Sequence, residues 1–255
     1  MLIDSHAHLD MENYEDDLEL VIERAVEGGV GRIITIGIDV ESSVKAINIS
    51  KKYDFIYATV GFHPHDADTV TDTHLTELKK LAKEKKVVAW GEIGLDFFKK
   101  HSGRDRQIKI FKEQLKIAHE IGLPVIIHCR DAEKEIISIL KEQENAGQEG
   151  VIHCFSSDYE TALAFIDLGY YISIPGIVTF KNAEELKRVA SSIPIEKMLV
   201  ETDAPFLAPV PKRGKRNEPL YVTYTAKKVA EIRDMSFEEL AAKTTENCRQ
   251  LFKID

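Results

Sequence analysis

Six residues have the chemistry to hold metal ions together: His6 and His8 in LIDSHAHLD, Glu92 in VVAWGEIGLD, His128 in PVIIHCRD, His153 in GVIHCFSS and Asp203 in MLVETDAPF. Four imidazoles and two carboxylates without a thiolate suit Zn, Mn, Fe, Co or Ni better than calcium. They exceed what one tetrahedral ion takes, so two divalent ions are expected. A natural division puts His6, His8 and Asp203 on one ion and His128 and His153 on the other, with Glu92 and a hydroxide bridging them. Ions about 3.5–4 Å apart can generate hydroxide at neutral pH and stabilise the attacking and leaving oxygens of an in-line displacement, which makes hydrolysis the default reaction. Asp203, and Glu92 beside it, are therefore the expected catalytic carboxylates. Asp203 would take the proton of the attacking water and return it to the leaving group.

Residues so distant in sequence need a fold that gathers them. Apolar runs of strand length recur at 2–6, 32–36, 55–60, 87–91, 124–128, 150–153, 170–174 and 197–201, with helical periodicity between them. The helix pattern is clearest at 14–27 (Leu18, Val21, Ile22, Ala25) and at 105–121 (Ile108, Phe111, Leu115, Ala118). Eight such units in this length predict an α/β protein with a closed (β/α)8 barrel, whose active site lies at the carboxyl ends of the strands. His6 and His8 then share one side of strand one, because side chains alternate along a strand. An open doubly wound sheet would leave strands one and eight far apart, and the six residues would not meet. Asp131 and Asp158 are expected to cap the helices after strands five and six, and two further helices at about 221–233 and 236–252 to close the chain. No linker or low-complexity tract divides it, so residues 1–255 read as one domain.

Other residues at the same end of the strands bear on substrate. His63 and His65 in GFHPH share one face at the end of strand three and, the metal shells being filled, are expected to contact substrate or its phosphate, His63 foremost. The loop after Asp203 carries Lys212, Arg213, Lys215 and Arg216. A solvated basic run is the usual explanation, but the loop leaves a mouth where barrels often hold phosphate, which makes Arg213 a phosphate candidate. Phe62, Phe97, Phe155 and Phe206 fall just after strand ends, where bases could stack, although loop packing is the ordinary role. Glu201 and Asp4 would lie one layer below the ligands, either as their hydrogen-bond partners or as buried polar groups satisfied by a lysine or water. His74, His101 and His119 are assigned to the surface.

Three cysteines without CxxC spacing imply neither disulfides nor a thiolate zinc site, and alternation should turn Cys129 and Cys154 away from the metals. The net charge of −9 argues against an extended basic surface that tracks duplex. Two bound cations would still give one pocket a strongly positive local field. No leader pattern and no apolar run near the ~18 residues of a membrane helix are present, so a cytoplasmic protein with no membrane association and no obligate protein partner is expected.

Taken in order, DSHAHLD, GFHPH, GEIGLD, HCRD, HCFS and ETDAPFL resemble the TatD family of metal-dependent deoxyribonucleases, within the amidohydrolase-like barrels. The resemblance runs from Asp4 to the NEP at 217–219. It implies a (β/α)8 barrel, a two-metal centre at His6, His8, Glu92, His128, His153 and Asp203, and hydrolysis of phosphodiester bonds in DNA with Mg or Mn. Glu92 stands where many related amidohydrolases carry a carboxylated lysine, which favours the nuclease branch. The residues by themselves reach a binuclear metal hydrolase with two divalent ions such as Mg, Mn or Zn. DNA as substrate, as single strands or strand ends, rests on the resemblance, with modest support from the basic loop. The same shells could serve another ester or amide, including an aminoacyl ester on tRNA, and a noncatalytic metal-binding scaffold is the remaining alternative.

Overall fold

Short runs rich in valine and isoleucine are buried on both faces, as parallel strands covered by helices must be. They form β1 (Leu2–Ala7), β2 (Val30–Thr35), β3 (Ile56–Val60), β4 (Val87–Asp96), β5 (Val125–Arg130), β6 (Gly150–Ile152), β7 (Tyr171–Ile174) and β8 (Met198–Val200). All pair in parallel with their sequence neighbours, in the order β1 to β8. The structure is a computed structural model and describes residues 1–142 and 147–255. Helices α1 (Leu18–Glu27), α2 (Val40–Lys52), α3 (Asp72–Leu81), α4 (Arg104–Ile121), α5 (Glu133–Leu140), α6 (Tyr159–Asp167) and α7 (Glu184–Ser192) alternate with the strands, and α8 (Val222–Ile232) and α9 (Phe237–Phe252) follow β8. This is the expected TIM barrel with extra carboxyl-terminal helices. No helix among the described residues is long and apolar enough to cross a membrane.

The seam between β1 and β8 decides whether the candidate ligands meet. A parallel bridge joins Ala7 to Ala204. Beside it, Asp203 N donates to His6 O at 2.9 Å and His8 N to Ala204 O at 2.7 Å. Side chains complete the join, because β8 is only three residues long. Ser5 Oγ donates to Val200 O at 3.1 Å, and the Asp4 carboxyl meets Thr202 N at 2.9 Å and Thr202 Oγ1 at 2.6 Å. At the opposite end of the barrel, Asn247 of α9 donates to Ile195 O and Met198 O, while Leu251 and Phe252 pack with Ile3 and Leu199. A capping box between Ser236 and Glu239 starts α9 and sets where that docking helix begins.

Three local expectations need correction. Helix α1 begins at Leu18, not at residue 14, because the buried Tyr14 ends a short 3-10 turn and donates its hydroxyl to Asn217 O at 2.6 Å. Asp158 caps α6 by accepting from Thr161 N at 2.7 Å, but Asp131 caps nothing. Its φ of 53° is left-handed, whereas an N-cap residue is extended, and Ala132 occupies the cap position. Strand β4 does not stop at residue 91. It continues beside β5 through the pairs Ile93 with Ile127, Gly94 with His128, Leu95 with Cys129 and Asp96 with Arg130. Gly94 permits this closeness, since at its φ of 140° a Cβ would run into the His128 carbonyl.

Candidate metal centre

Glu92 projects from the middle of the extended β4 and is 3% exposed. Its two oxygens face different partners. Oε1 lies 3.0 Å from His128 Nδ1, 2.8 Å from His153 Nε2 and 3.3 Å from His63 Nε2. Oε2 lies 3.4 Å from His6 Nε2 and 3.8 Å from His8 Nε2. Asp203 Oδ1 completes the second set at 3.7 Å from His6 Nε2 and 3.5 Å from His8 Nε2. One donor from each of His6, His8 and Asp203 falls within 4.8 Å of the others, and so does one from each of Glu92, His128 and His153. All six residues are thus brought together, and two further groups overlap with them, His63 with His65 and His128, and His6 with His153 and Glu201. His6 and His153 stack face to face with centroids 3.9 Å apart, so rings from opposite sides of the barrel fix each other's planes.

The electrostatics favour ionised carboxylates. Burial pushes Glu92 up, but His153, His63 and the hydrogen bonds from His128 and His153 outweigh it and hold Glu92 well below the usual carboxylate range. Burial likewise opposes ionisation of Asp203, and His8, His153 and His6 overcome it. Burial drives His63 down to about 4. Burial alone would lower His153, yet Glu92 and Glu201 raise it well above an ordinary imidazole. The Nδ1 atoms of His6 and His8 are buried without a hydrogen bond. Buried polar atoms are seldom left so. Four imidazoles whose nitrogens converge on ionised carboxylates form a donor set that, once the rings give up their protons, fits divalent cations of the Zn or Mn type.

The family described as TatD related DNase matches residues 3–253. The chain belongs to the TatD family. It is 47% identical over 255 residues to the Bacillus subtilis protein named uncharacterized metal-dependent hydrolase YabD, covering 100% of both chains. It is 34% identical over 259 residues to the Edwardsiella piscicida protein named 3'-5' ssDNA/RNA exonuclease TatD, covering 99% of this chain and 100% of the relative. Among solved structures, YJJV, a TatD homolog from Escherichia coli, superposes with a TM-score of 0.94 at 32% identity, covering 100% of this chain and 98% of that one.

In this TatD-family chain His8, Glu92, His128, His153 and Asp203 open into a cavity of about 430 Å³ lined also by His63, His65, Arg130 and Phe206. His63 Nδ1 accepts from His65 N at 3.1 Å, which leaves its Nε2 to carry the proton of the neutral ring. Arg213 is not among the described residues that line the cavity. It is exposed, with its guanidinium 4.4 Å from the Phe180 ring centroid. Arg216, from the same run, is engaged in a fork onto Asp17 at 2.8 and 2.7 Å. Phe206 stands half-exposed on the rim, Phe97 is partly buried, and Phe62 and Phe155 are buried in ordinary packing.

The layer beneath the donors differs in part from expectation. Glu201 lies behind His153, 3.4 Å from its Nδ1, and accepts from Cys154 N at 2.6 Å. Asp4 touches neither imidazole at 6 or 8. It serves the β1–β8 seam, and burial raises its carboxyl to about 8. Cys154 was expected to face away, but β6 ends at Ile152 and a φ of 46° breaks the alternation, so its thiol reaches Asp203 in the cavity. Cys129 lines the same cavity, and burial pushes its thiol up. His119 is exposed as expected; His74 is half-buried, stacked on Phe62 at 5.6 Å. His101 is exposed and meets the edge of His65 at 4.6 Å.

Two residues were missed. Arg130 ends β5, lines the cavity and lies 4.1 Å over the Phe98 ring. Asp96 ends β4 and meets His65 Nε2 at 2.8 Å and His128 Nε2 at 3.1 Å. Burial opposes its ionisation, but His128, the Lys99 amide and His65 hold it below the usual carboxylate range. A signal for Asp96 existed. It stands four residues after Glu92, on the same strand face, in the run GEIGLD.

Proposed function

We propose that this TatD-family hydrolase is a deoxyribonuclease that cleaves phosphodiester bonds with two divalent ions, and that residues 1–255 act as one domain. His6, His8 and Asp203 would hold one ion and His128 and His153 the other, with Glu92 shared. The observation that carries this assignment is the division of the Glu92 oxygens, Oε2 toward His6 and His8, Oε1 toward His128 and His153. When bound, ions such as Mg, Mn or Zn supply Lewis acidity and lower the pKa of water. The chain's own residues do the rest. Asp203, ionised on the cavity wall, accepts the proton of the attacking water and returns it to the leaving oxygen. His63 and His65, both on the cavity wall, would contact the substrate or its phosphate. Arg130 is the nearer guanidinium for the phosphate, and Arg213 an outlying one.

The exonuclease name on the Edwardsiella relative supports single strands or strand ends as the substrate. The test is cleavage of an end-labelled single-stranded oligonucleotide by metal-free protein reconstituted separately with Mg, Mn or Zn. Metal-dependent loss of label that Asp203→Asn lacks is expected, and the product ladder separates cutting at ends from internal cutting. Intact oligonucleotide in every metal would sink the nuclease assignment and direct the search to esters and amides, aminoacyl-tRNA among them.

A further inference from the structure

We propose that Asp96 is a positioning residue that fixes the tautomer of His128, so that the ring offers its Nδ1 lone pair to the group formed with Glu92 and His153. The inference rests on the two-metal assignment above and adds a residue to it. Asp96 is fully buried at the last position of β4. Its backbone is clamped by the buried amide of Gln107, which accepts from Asp96 N at 2.9 Å and donates to Asp96 O at 3.0 Å. The two carboxylate oxygens then have separate tasks. Oδ1 accepts from the amides of Phe98 at 3.0 Å and Lys99 at 2.8 Å, which holds the start of the loop after β4. Oδ2 faces Nε2 of His65 and Nε2 of His128.

An ionised carboxylate only accepts hydrogen bonds, so both rings must present Nε2–H to Oδ2. A neutral His128 then carries no proton on Nδ1. That bare nitrogen is the atom 3.0 Å from Glu92 Oε1. A lone pair aimed at a carboxylate is repulsive unless a proton or a cation lies between them: a proton there makes the ring an imidazolium held by both carboxylates, whereas a cation leaves Nδ1 bare while Asp96 keeps the proton on Nε2. A carboxylate behind a ligating histidine orients the ring and raises its basicity, and removing such a partner typically costs about 10–100-fold in metal affinity. Because Oδ2 also holds His65, the ring proposed to contact substrate shares its anchor with a metal ligand.

Asp96→Asn separates the two tasks. The amide keeps one oxygen for the Phe98 and Lys99 amides and turns an NH2 toward the imidazoles, which must then accept at Nε2 and carry their proton on Nδ1. The readout is the nitrogen NMR spectrum of 15N-histidine protein, free of metal and raised in pH until the His128 ring carries a single proton, with the His128 signals assigned by their loss in His128→Gln. The expected result is an Nε2–H ring in the wild type and an Nδ1–H ring in Asp96→Asn. In calorimetric titration with Mn, one of the two equivalents should weaken by about 10–100-fold in Asp96→Asn and the other stay unchanged. A wild-type spectrum with the His128 proton on Nδ1 would overturn the proposal without any variant having to fold. So would a switched tautomer with both equivalents bound as tightly as before, a result that leaves the two-metal assignment standing. Wild-type protein that binds no Mn overturns both, which distinguishes the two failures.

Discussion

The Nε2 atoms of His6 and His8 face each other at 3.3 Å at the end of β1. Two neutral imidazoles so placed can share one proton at most, and the carboxylates of Glu92 and Asp203 close the remaining side. A divalent cation held as proposed would resolve this arrangement in the folded chain and would have no comparable site in the unfolded one. Binding should therefore stabilise the fold, by about 2.7 kcal/mol per site when free metal is at a hundredfold its Kd. For a domain of this size that is a rise in Tm of roughly 5–10 °C per site. Scanning calorimetry of chelator-treated protein with and without Mn measures it. A Tm indifferent to Mn would mean that protons, not metal, settle this cluster.

Asp203→Asn preserves the size of the side chain and the backbone bond from residue 203 to His6 O, but removes the proposed proton acceptor. General acid–base assistance is worth about 10²–10⁴-fold. With metal at saturation, kcat on a single-stranded oligonucleotide should fall by about that factor while KM changes little. A variant that keeps more than a tenth of the wild-type kcat would take the proton role from Asp203.

The site was legible where it follows the alternation of a strand and obscure where a strand outlasts its apolar run. His6 and His8 share a face by period alone, and the apolar runs at both ends of the chain predicted the closure that sets Asp203 beside them. Asp96 stayed hidden because an apolar pattern stops at its first polar residue. In β4 that residue is Glu92, yet pairing with β5 continues through Asp96. Buried polar side chains are thus what the pattern cannot count and what the site is made of. Cys154 and Asp131 were misplaced for a different reason: each takes a left-handed backbone just after or near a strand end, and no periodicity reports φ. The place of Arg213 depends on a tertiary stack with Phe180, more than thirty residues earlier in the chain.

The two aspartates after β5 and β6 give a paired test of stability. Asp158→Ala removes the bond to Thr161 N and should cost about 1 kcal/mol, whereas Asp131→Ala removes no cap. The hydrogen bond to Thr161 holds Asp158 below its ordinary range, so its folded pKa lies under its unfolded one. That contribution is present above the unfolded pKa and is lost as pH falls through the folded one. Urea unfolding should therefore show Asp158→Ala less stable than wild type at pH near 7, with the gap narrowing below about pH 4. A gap that is constant down to strong acid would mean that helix propensity, not the charged cap, accounts for the difference.

Arg130 and Arg213 separate a cavity contact from a peripheral one. Arg130 lines the cavity together with Glu92, His128 and Asp203 and is kept there by the Phe98 ring, while Arg213 stands outside on Phe180. A hydrogen bond to a charged group is worth about 1.5–3 kcal/mol, and at an exposed position the low end applies. Arg130→Ala should thus raise KM for an oligonucleotide by roughly tenfold, and Arg213→Ala by about twofold, both without loss of bound metal. Because a phosphate contact releases counterions from the strand, the KM of Arg130→Ala should also rise less steeply with salt than that of the wild type. Unaltered kinetics in Arg130→Ala would leave the phosphate to His63 and the metals. A larger effect from Arg213→Ala than from Arg130→Ala would mean that the substrate runs over the loop after β8, and the strand would then leave the cavity on the Phe206 side.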